Sequence, residues 1–426
     1  MFLILWTVFR LVVADLPHFH GFPCRQLKFR GLALLSVSKV GGLAGTCRPS
    51  GTANPNGVTE MRIPNPKTIL AFIVCGFVLV TQSLADGWQD GGGEAWEKLF
   101  EAAKAEGKVV ISGPAILKTD FIEAFEKDTG IEVLFFTGGR AERRTRYIRE
   151  VESGKPTIDI FIGGLGILGL KEKGLLASQK SMIILPDALD GEKWPGGKIP
   201  FADIEQEFMP LPMLYATGRI IVNTDKIDPA SIKNWRDLLR PEFKGKIASH
   251  DPRPSGPGQA VASYLVEALG SDFVEDLYKG QDVKLTRDFR QLVDWVARGT
   301  YPIAAGAVAW QIERYRDEGI KHIAVLELED APGYLVGGLS VTTVPENAPH
   351  PNAAAVFINW YLSARGQQIH SDIVRVPSQR TDVTPRTSPP YTIPDPNKNY
   401  FNQYDERWYS TARPKIRKWL IELLGE

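Results

Sequence analysis

IEVLFFTGGRAERRTRYIREVESGKPTIDIFIGG, residues 131–164, is the stretch from which the fold can be read. Ile131 to Phe136 is a run of β-branched and aromatic residues, the pattern of a strand buried on both faces. Thr137-Gly138-Gly139-Arg140 interrupts it. Ala141 to Ser153 carries helix-forming residues and closes on Gly154, a common helix stop. After Lys155-Pro156 a second apolar run, Ile158 to Ile162, ends on Gly163-Gly164. A strand, a crossover helix and a strand make the two strands parallel. The first turn carries the chemistry. Its glycines let the backbone approach a ligand, and the following helix points free N–H groups at the same turn. Arg140, Arg143, Arg144 and Arg146 add positive charge there. Such a turn suits an anion, or a chelated metal with an anion. The plain alternative is a glycine that the turn itself requires and a solvated arginine face.

Working outward, the chain of 426 residues is long enough for two or three domains. A hydrophobic content of 43% and a charged content of 23% are those of a soluble globular protein. The formal net charge is zero, which argues against a nucleic-acid binder driven by phosphate neutralisation. Residues 1–85 hold 8 basic and 2 acidic residues, leaving 42 basic against 48 acidic in residues 86–426. The body of the protein is therefore acidic overall, at −6.

Met61 to Ala85 reads as a secretory signal peptide, with Arg62 and Lys67 ahead of an apolar core at Thr68 to Val80. Ser83-Leu84-Ala85 supplies small residues for cleavage after Ala85, which would leave Asp86 first. The 13-residue apolar core is shorter than the ~20 residues a membrane-spanning helix needs. Cys75 lacks a lipoprotein context, so no lipid anchor is expected. Residues 1–60 read as an over-long start or a disordered extension, the true start being Met61. All three cysteines, Cys24, Cys47 and Cys75, fall before the cleavage point. The exported chain would carry no thiol, as suits an oxidising compartment.

Beyond the signal, strands alternate with helices throughout. Strands are expected at Lys108–Ser112, Met182–Leu185, Leu214–Asn223, Lys246–Ser249, Tyr301–Ala307, His322–Leu328 and Leu335–Thr343. Helices are expected between them, the last at Lys415–Leu424. This is an α/β fold with mostly parallel sheets.

At this point the order of motifs resembles a known family, the extracellular solute-binding proteins of ABC importers, in the branch with ferric-iron, thiamine, phosphonate and polyamine binders. The residues that carry it are FIEAFEKDTGI (121–131), the Thr137-Gly138-Gly139 turn, and Ile158-Asp159-Ile160-Phe161. Tyr215-Ala216-Thr217-Gly218-Arg219 with Asn223-Thr224 extends it. So do Trp235-Arg236-Asp237-Leu238 with PEFKGKI (241–247), and the helix NAAAVFINWYLSARGQ (352–367). The resemblance spans about residues 94–385. It implies two α/β lobes of the type II periplasmic arrangement, joined by crossing hinge strands and closing on a ligand. Lobe one would be residues 86–221 with 333–426 returning to it, and lobe two residues 222–332. Ligands in open α/β sheets sit at the C-terminal ends of strands, and hinge closure traps them. The wall residues implied are Gly138, Gly139 and Arg140 from lobe one, and Asp251, Arg253, Ser255 and Gly256 from lobe two. Tyr215 would line the hinge, with Gly306, Trp310 and Tyr334 on the second wall.

The family's iron binders use an adjacent Tyr-Tyr pair, since phenolates suit ferric iron. Residues 304–310 here read AAGAVAW, and the chain has no Tyr-Tyr pair. A small organic anion or an amine is at least as well served. No cofactor is expected. The partners implied are a small ligand and an inner-membrane permease, with a monomeric, periplasmic protein. The rival reading is an exported dinucleotide-dependent oxidoreductase using Gly164-Leu165-Gly166-Ile167-Leu168-Gly169, a GxGxxG after a strand with Asp187 further on. Against it, the helix that follows ends at Gly174, short for that fold. No GxSxG or HExxH occurs, and the His250-Asp251 pair reads as a ligand contact rather than a dyad. Trp235, Trp295 and Trp360 fall on apolar helix stripes and are expected in the core.

Overall fold

In the computed structural model, which describes residues 87–338 and 340–425, the opening stretch forms a strand-helix-strand unit, but its first strand lies at the sheet edge with Leu134 and Phe136 exposed and is not buried on both faces. β1 (Lys108–Ser112) lies between β2 (Glu132–Phe136) and β3 (Ile160–Gly163), parallel to both. The helix between β2 and β3 starts at Arg140. The signal peptide, the extension before it and the three cysteines fall outside the described residues.

The first lobe is built on a four-stranded sheet in the order β11-β3-β1-β2, where β11 (Val341–Thr343) runs antiparallel to β3. Against it pack α1 (Gly93–Glu106), α2 (Asp120–Thr129), α7 (Pro351–Leu362) and α8 (Ala364–Val374). Phe121, Phe125, Phe357, Trp360 and Tyr361 interlock at its centre. α3 (Arg140–Glu152) buries Tyr147 and Val151 on a second apolar cluster at the opposite side.

The second lobe holds a five-stranded sheet, β7-β6-β8-β5-β9. Its strands are β5 (Ile220–Asn223), β6 (Ile247–His250), β7 (Lys284–Thr286), β8 (Ile303–Ala305) and β9 (Ile323–Leu326). β6 is parallel to β7 and β8, but β5 is antiparallel to β8 and β9, so this sheet is mixed rather than mostly parallel. The antiparallel strand is the one that enters directly from the first lobe, without a crossover helix to set its direction. α4 (Pro257–Leu269), α5 (Phe289–Ala297) and α6 (Ala309–Asp317) flank the sheet, and Trp235 is fully buried beneath it.

Between the lobes, strands of the crossing segments lie side by side. β4 (Tyr215–Thr217) pairs antiparallel with β10 (Tyr334–Val336), and β12 (Phe401–Asn402) adds a parallel edge. The single strand expected over 214–223 is thus two strands, parted at Gly218. A φ of 89° there suits glycine, and a Cβ would come within 2.6 Å of the Tyr334 ring. The strand expected over 335–343 is divided in the same way into β10 and β11.

Two further expectations are corrected. Residues 182–185 are no strand. A short helix, Gln179–Met182, leads into an extended segment whose backbone is satisfied by the Asn359 amide: Ile184 and Leu185 donate to its oxygen at 2.9 and 3.0 Å. The last helix, α9 (Glu406–Leu424), starts well before Lys415. Pro414 in its interior reads as a breaker from sequence, while the Asp405 carboxylate caps its start by accepting from Trp408 N at 2.8 Å. Nor does the tail return wholly to lobe one. Ile416, Trp419 and Leu420 pack into the second lobe's apolar cluster, against α4.

Candidate ligand-binding site

A cavity of about 820 Å³ opens between the two sheets. Its first wall is the turn read from the sequence: Gly138 and Gly139 lead into α3, with Arg140, Arg143 and Arg144 in its first turns. Its second wall is Ser255, Gly256 and Pro257 at the start of α4, and Gly306 with Val308, Ala309 and Trp310 at the start of α6. Tyr215, Thr217, Gly218, Arg219 and Tyr334 form its floor at the crossing strands. Three helices, each at least nine residues long, therefore turn their N-terminal ends to one space. Such ends carry free N–H groups and partial positive charge.

Arginine dominates the charged lining. Arg143 is buried under α3, its Nη1 reaching Ser112 Oγ and the Ile162 carbonyl, both at 3.4 Å, while its Nε has no partner among the described residues. Burial, and then the neighbouring Arg140 charge, lower its pKa to about 10. Arg144 is lowered as well, by burial and by the charges of Arg417, Arg413 and Arg140. Among the described residues neither the Arg140 nor the Arg144 side chain has a hydrogen bond or ion pair. Arg219 donates through Nη2 to Glu327 at 2.8 Å but leaves a buried Nη1 unpartnered. Arg413 bonds Gln259 Oε1 at 3.0 Å and leaves a buried Nε unpartnered. The acidic lining residue Asp317 is taken up by an ion pair with Arg375 across the cleft. The phenols respond to burial in the other direction: Tyr215 is pushed up to about 12, and Tyr334 and Tyr404 are raised further.

Of the wall residues expected from sequence, Gly138, Gly139, Arg140, Tyr215, Ser255, Gly256, Gly306, Trp310 and Tyr334 are brought together here. Asp251 and Arg253 are not. The Asp251 carboxylate is buried and accepts from Arg253 Nε and Nη2 at 2.8 and 2.9 Å, and from Arg287 Nε at 2.9 Å. Both residues serve the fold of the loop after β6. His250 beside them is no dyad partner: its ring is buried, stacked on Phe289 with centroids 4.7 Å apart. Sequence reading missed Arg143 and Arg144 as wall residues although it noted their charge. It also missed Arg219, Tyr404, Tyr409 and Arg413, which no local motif announces.

The GxGxxG reading fails on geometry. Residues 165–167 form one 3₁₀ turn and Leu168–Glu172 a five-residue helix, where dinucleotide binding needs a long helix starting at the turn. Packing accounts for two of these glycines: a Cβ on Gly164 would lie 2.8 Å from Tyr404 Oη, and one on Gly166 2.8 Å from Arg144 Nη1.

Two lobes joined by crossing strands, with an arginine-bearing cavity between them, have the architecture of a solute-binding protein. Residues 107–368 match the family of bacterial extracellular solute-binding proteins, and the chain belongs to that family. It is a substrate-binding component of an ABC importer. It is 25% identical over 341 residues to an uncharacterized protein of Haemophilus influenzae, covering 76% of this chain and 92% of that one. It is 25% identical over 291 residues to the Fe(3+)-binding periplasmic protein of Serratia marcescens, covering 63% and 78%. The periplasmic binding protein AfuA of Actinobacillus pleuropneumoniae, solved with fructose-6-phosphate bound, has a similar fold. Its TM-score is 0.60 at 18% identity, over 75% of this chain and 98% of that one.

Proposed function

We propose that this protein captures a small organic anion, with a phosphate or carboxylate group, and hands it unchanged to an inner-membrane permease. One observation carries the reading. Arg143, Arg219 and Arg413, from three separate elements, line one cavity, and each keeps a buried N–H donor without a partner among the described residues. A buried unpaired donor costs about 1–3 kcal/mol, and more on a charged group, so an arrangement of three favours a ligand rich in acceptors. The helix N-termini favour the same sign of charge. The likeness to a fold solved with a sugar phosphate is consistent with it.

Ferric iron is less well served, because phenols held above their ordinary range resist becoming the phenolates that iron prefers. A polyamine would meet arginines of its own sign. The function is binding and hinge closure without catalysis. The protein acts as a monomer, exported by the segment cleaved after Ala85.

A thermal-shift screen of residues 86–426 tests this, since a ligand that binds the folded state raises the melting point by mass action. Inorganic phosphate, a hexose phosphate and a dicarboxylate are set against ferric citrate and spermidine. Stabilisation by an anion is expected. Stabilisation by ferric citrate or spermidine alone would overturn the reading.

A further inference from the structure

The family match ends at residue 368, yet part of the cavity wall comes from far beyond it. Gln403, Tyr404, Tyr409 and Arg413 all line the cavity, from the turn after β12 and the first half of α9. We propose that this C-terminal segment is a third wall of the binding site, and that Arg413 grips the ligand's doubly charged phosphate together with Arg140 and Arg144. This rests on the anion reading above.

The segment is fastened on both sides of the cleft. Toward the second lobe, Trp408 Nε1 donates to Glu267 at 2.8 Å, Arg413 Nη2 to Gln259 at 3.0 Å and Arg417 Nε to the Arg253 carbonyl at 3.1 Å. Toward the first lobe, the buried Glu406 carboxylate accepts from Lys171 Nζ at 2.6 Å and from Ile204 N at 2.7 Å. Tyr404, held by these ties, packs its hydroxyl against Gly164 and Gly338.

The charge arrangement makes the segment more than a strut. The Arg413 guanidinium lies 4.2 Å from the centre of the Tyr409 ring, which orients it while its buried Nε stays unpartnered. Its charge, with those of Arg140 and Arg417, bears on Arg144 from α3. Like charges from separate segments repel unless something negative lies between them. Among the acidic lining residues, Asp317 is taken by Arg375. A phosphate monoester, with three acceptor oxygens and nearly two negative charges, satisfies several guanidinium forks at once.

Isothermal titration of the exported protein with inorganic phosphate and a hexose 6-phosphate tests the assignment, with R413Q, R413K, Y404F and R143Q beside the wild type. R413Q should weaken hexose phosphate binding about 10- to 100-fold, the loss of one charge-assisted contact, and R413K should recover part of it. Wild-type affinity should rise from pH 5 to pH 7 as the phosphate loses its second proton near pH ~6, and R413Q should flatten that rise. A strut would not change the pH dependence. Wild-type affinity and pH dependence in R413Q and R413K, with R143Q impaired, would overturn the third wall alone. Failure of the wild type to bind either probe would overturn the phosphate assignment, and with it the anion reading if carboxylates also fail.

Discussion

Two arginine clusters, one around Asp251 in the loop that follows β6 and one in the first turns of α3, have opposite fates. Around Asp251, the guanidinium groups of Arg253 and Arg287 are consumed by one buried carboxylate. On the cavity wall, the Arg140 and Arg144 side chains have no protein partner among the described residues, and Arg143 keeps a free buried donor. In sequence the clusters look alike: charged residues beside glycine at a strand-to-helix turn. The difference is hydrogen-bond satisfaction. Arginines whose donors are used hold the fold, and arginines whose donors are unused are the ones that the proposed anion would satisfy.

Breaking the first cluster should cost stability and leave binding alone. Asp251→Ala strands two cations around a buried site and should lower unfolding stability by about 3 kcal/mol, read from urea denaturation, with ligand affinity nearly unchanged in the folded fraction. Lost affinity at full stability would move Asp251 into the site. Breaking the second cluster should do the reverse. Arg143→Met removes a buried charge that the protein only half satisfies, so stability should stay within about 1 kcal/mol of wild type. Affinity for the anion should fall about 100-fold. A large drop in stability with intact binding would make Arg143 structural.

A third kind of buried cation-former sharpens the contrast. His370 is fully buried between Phe121 and Tyr361, with neither ring nitrogen bonded among the described residues. Burial lowers its pKa from 6.5 to about 3. Between those values the unfolded chain holds a proton that the folded chain refuses, so stability falls as pH drops through that window, by at most about 1.4 kcal/mol per pH unit. Denaturation at pH 6.5 and pH 5 should show a loss of about 2 kcal/mol that His370→Phe removes; an unchanged loss would place the acid sensitivity elsewhere. The smallest effect is expected at the exposed end of the cleft. Asp317→Asn weakens the pair with Arg375 and should change ligand affinity only about twofold, because exposed pairs contribute about 0.5 kcal/mol. A tenfold change would mark that pair as part of the closing mechanism.

Much of this architecture could be read from the chain. Ile131–Gly164 specifies a parallel strand-helix-strand unit because periodicity and glycine stops are local signals, and the same signals place Gly138, Gly139 and Arg140. The fully buried Trp235 and Trp360 also follow from helix stripes. Asp251 misled because sequence shows a carboxylate at a turn but not the two guanidinium groups that fold onto it. The Asn359 amide that replaces a strand partner at 184–185 acts across 174 and 175 residues. Arg413 was invisible for a like reason: it reaches the site only because α9 packs on α4, and Pro414 hides that helix from periodicity. Local rules locate turns; long-range packing decides which turns face one another.

The carboxylate of Glu406 sits on a helix packed against the second lobe while its bonds run to the first. On the hinge-closure mechanism proposed above, a captured solute escapes only after the lobes separate, and separation must break contacts on one side of that carboxylate. Its strength therefore enters the residence time of the cargo, and also the population of open cleft that a solute can enter. A permease that loosens this one contact would shorten the residence time without touching the arginines that recognise the cargo.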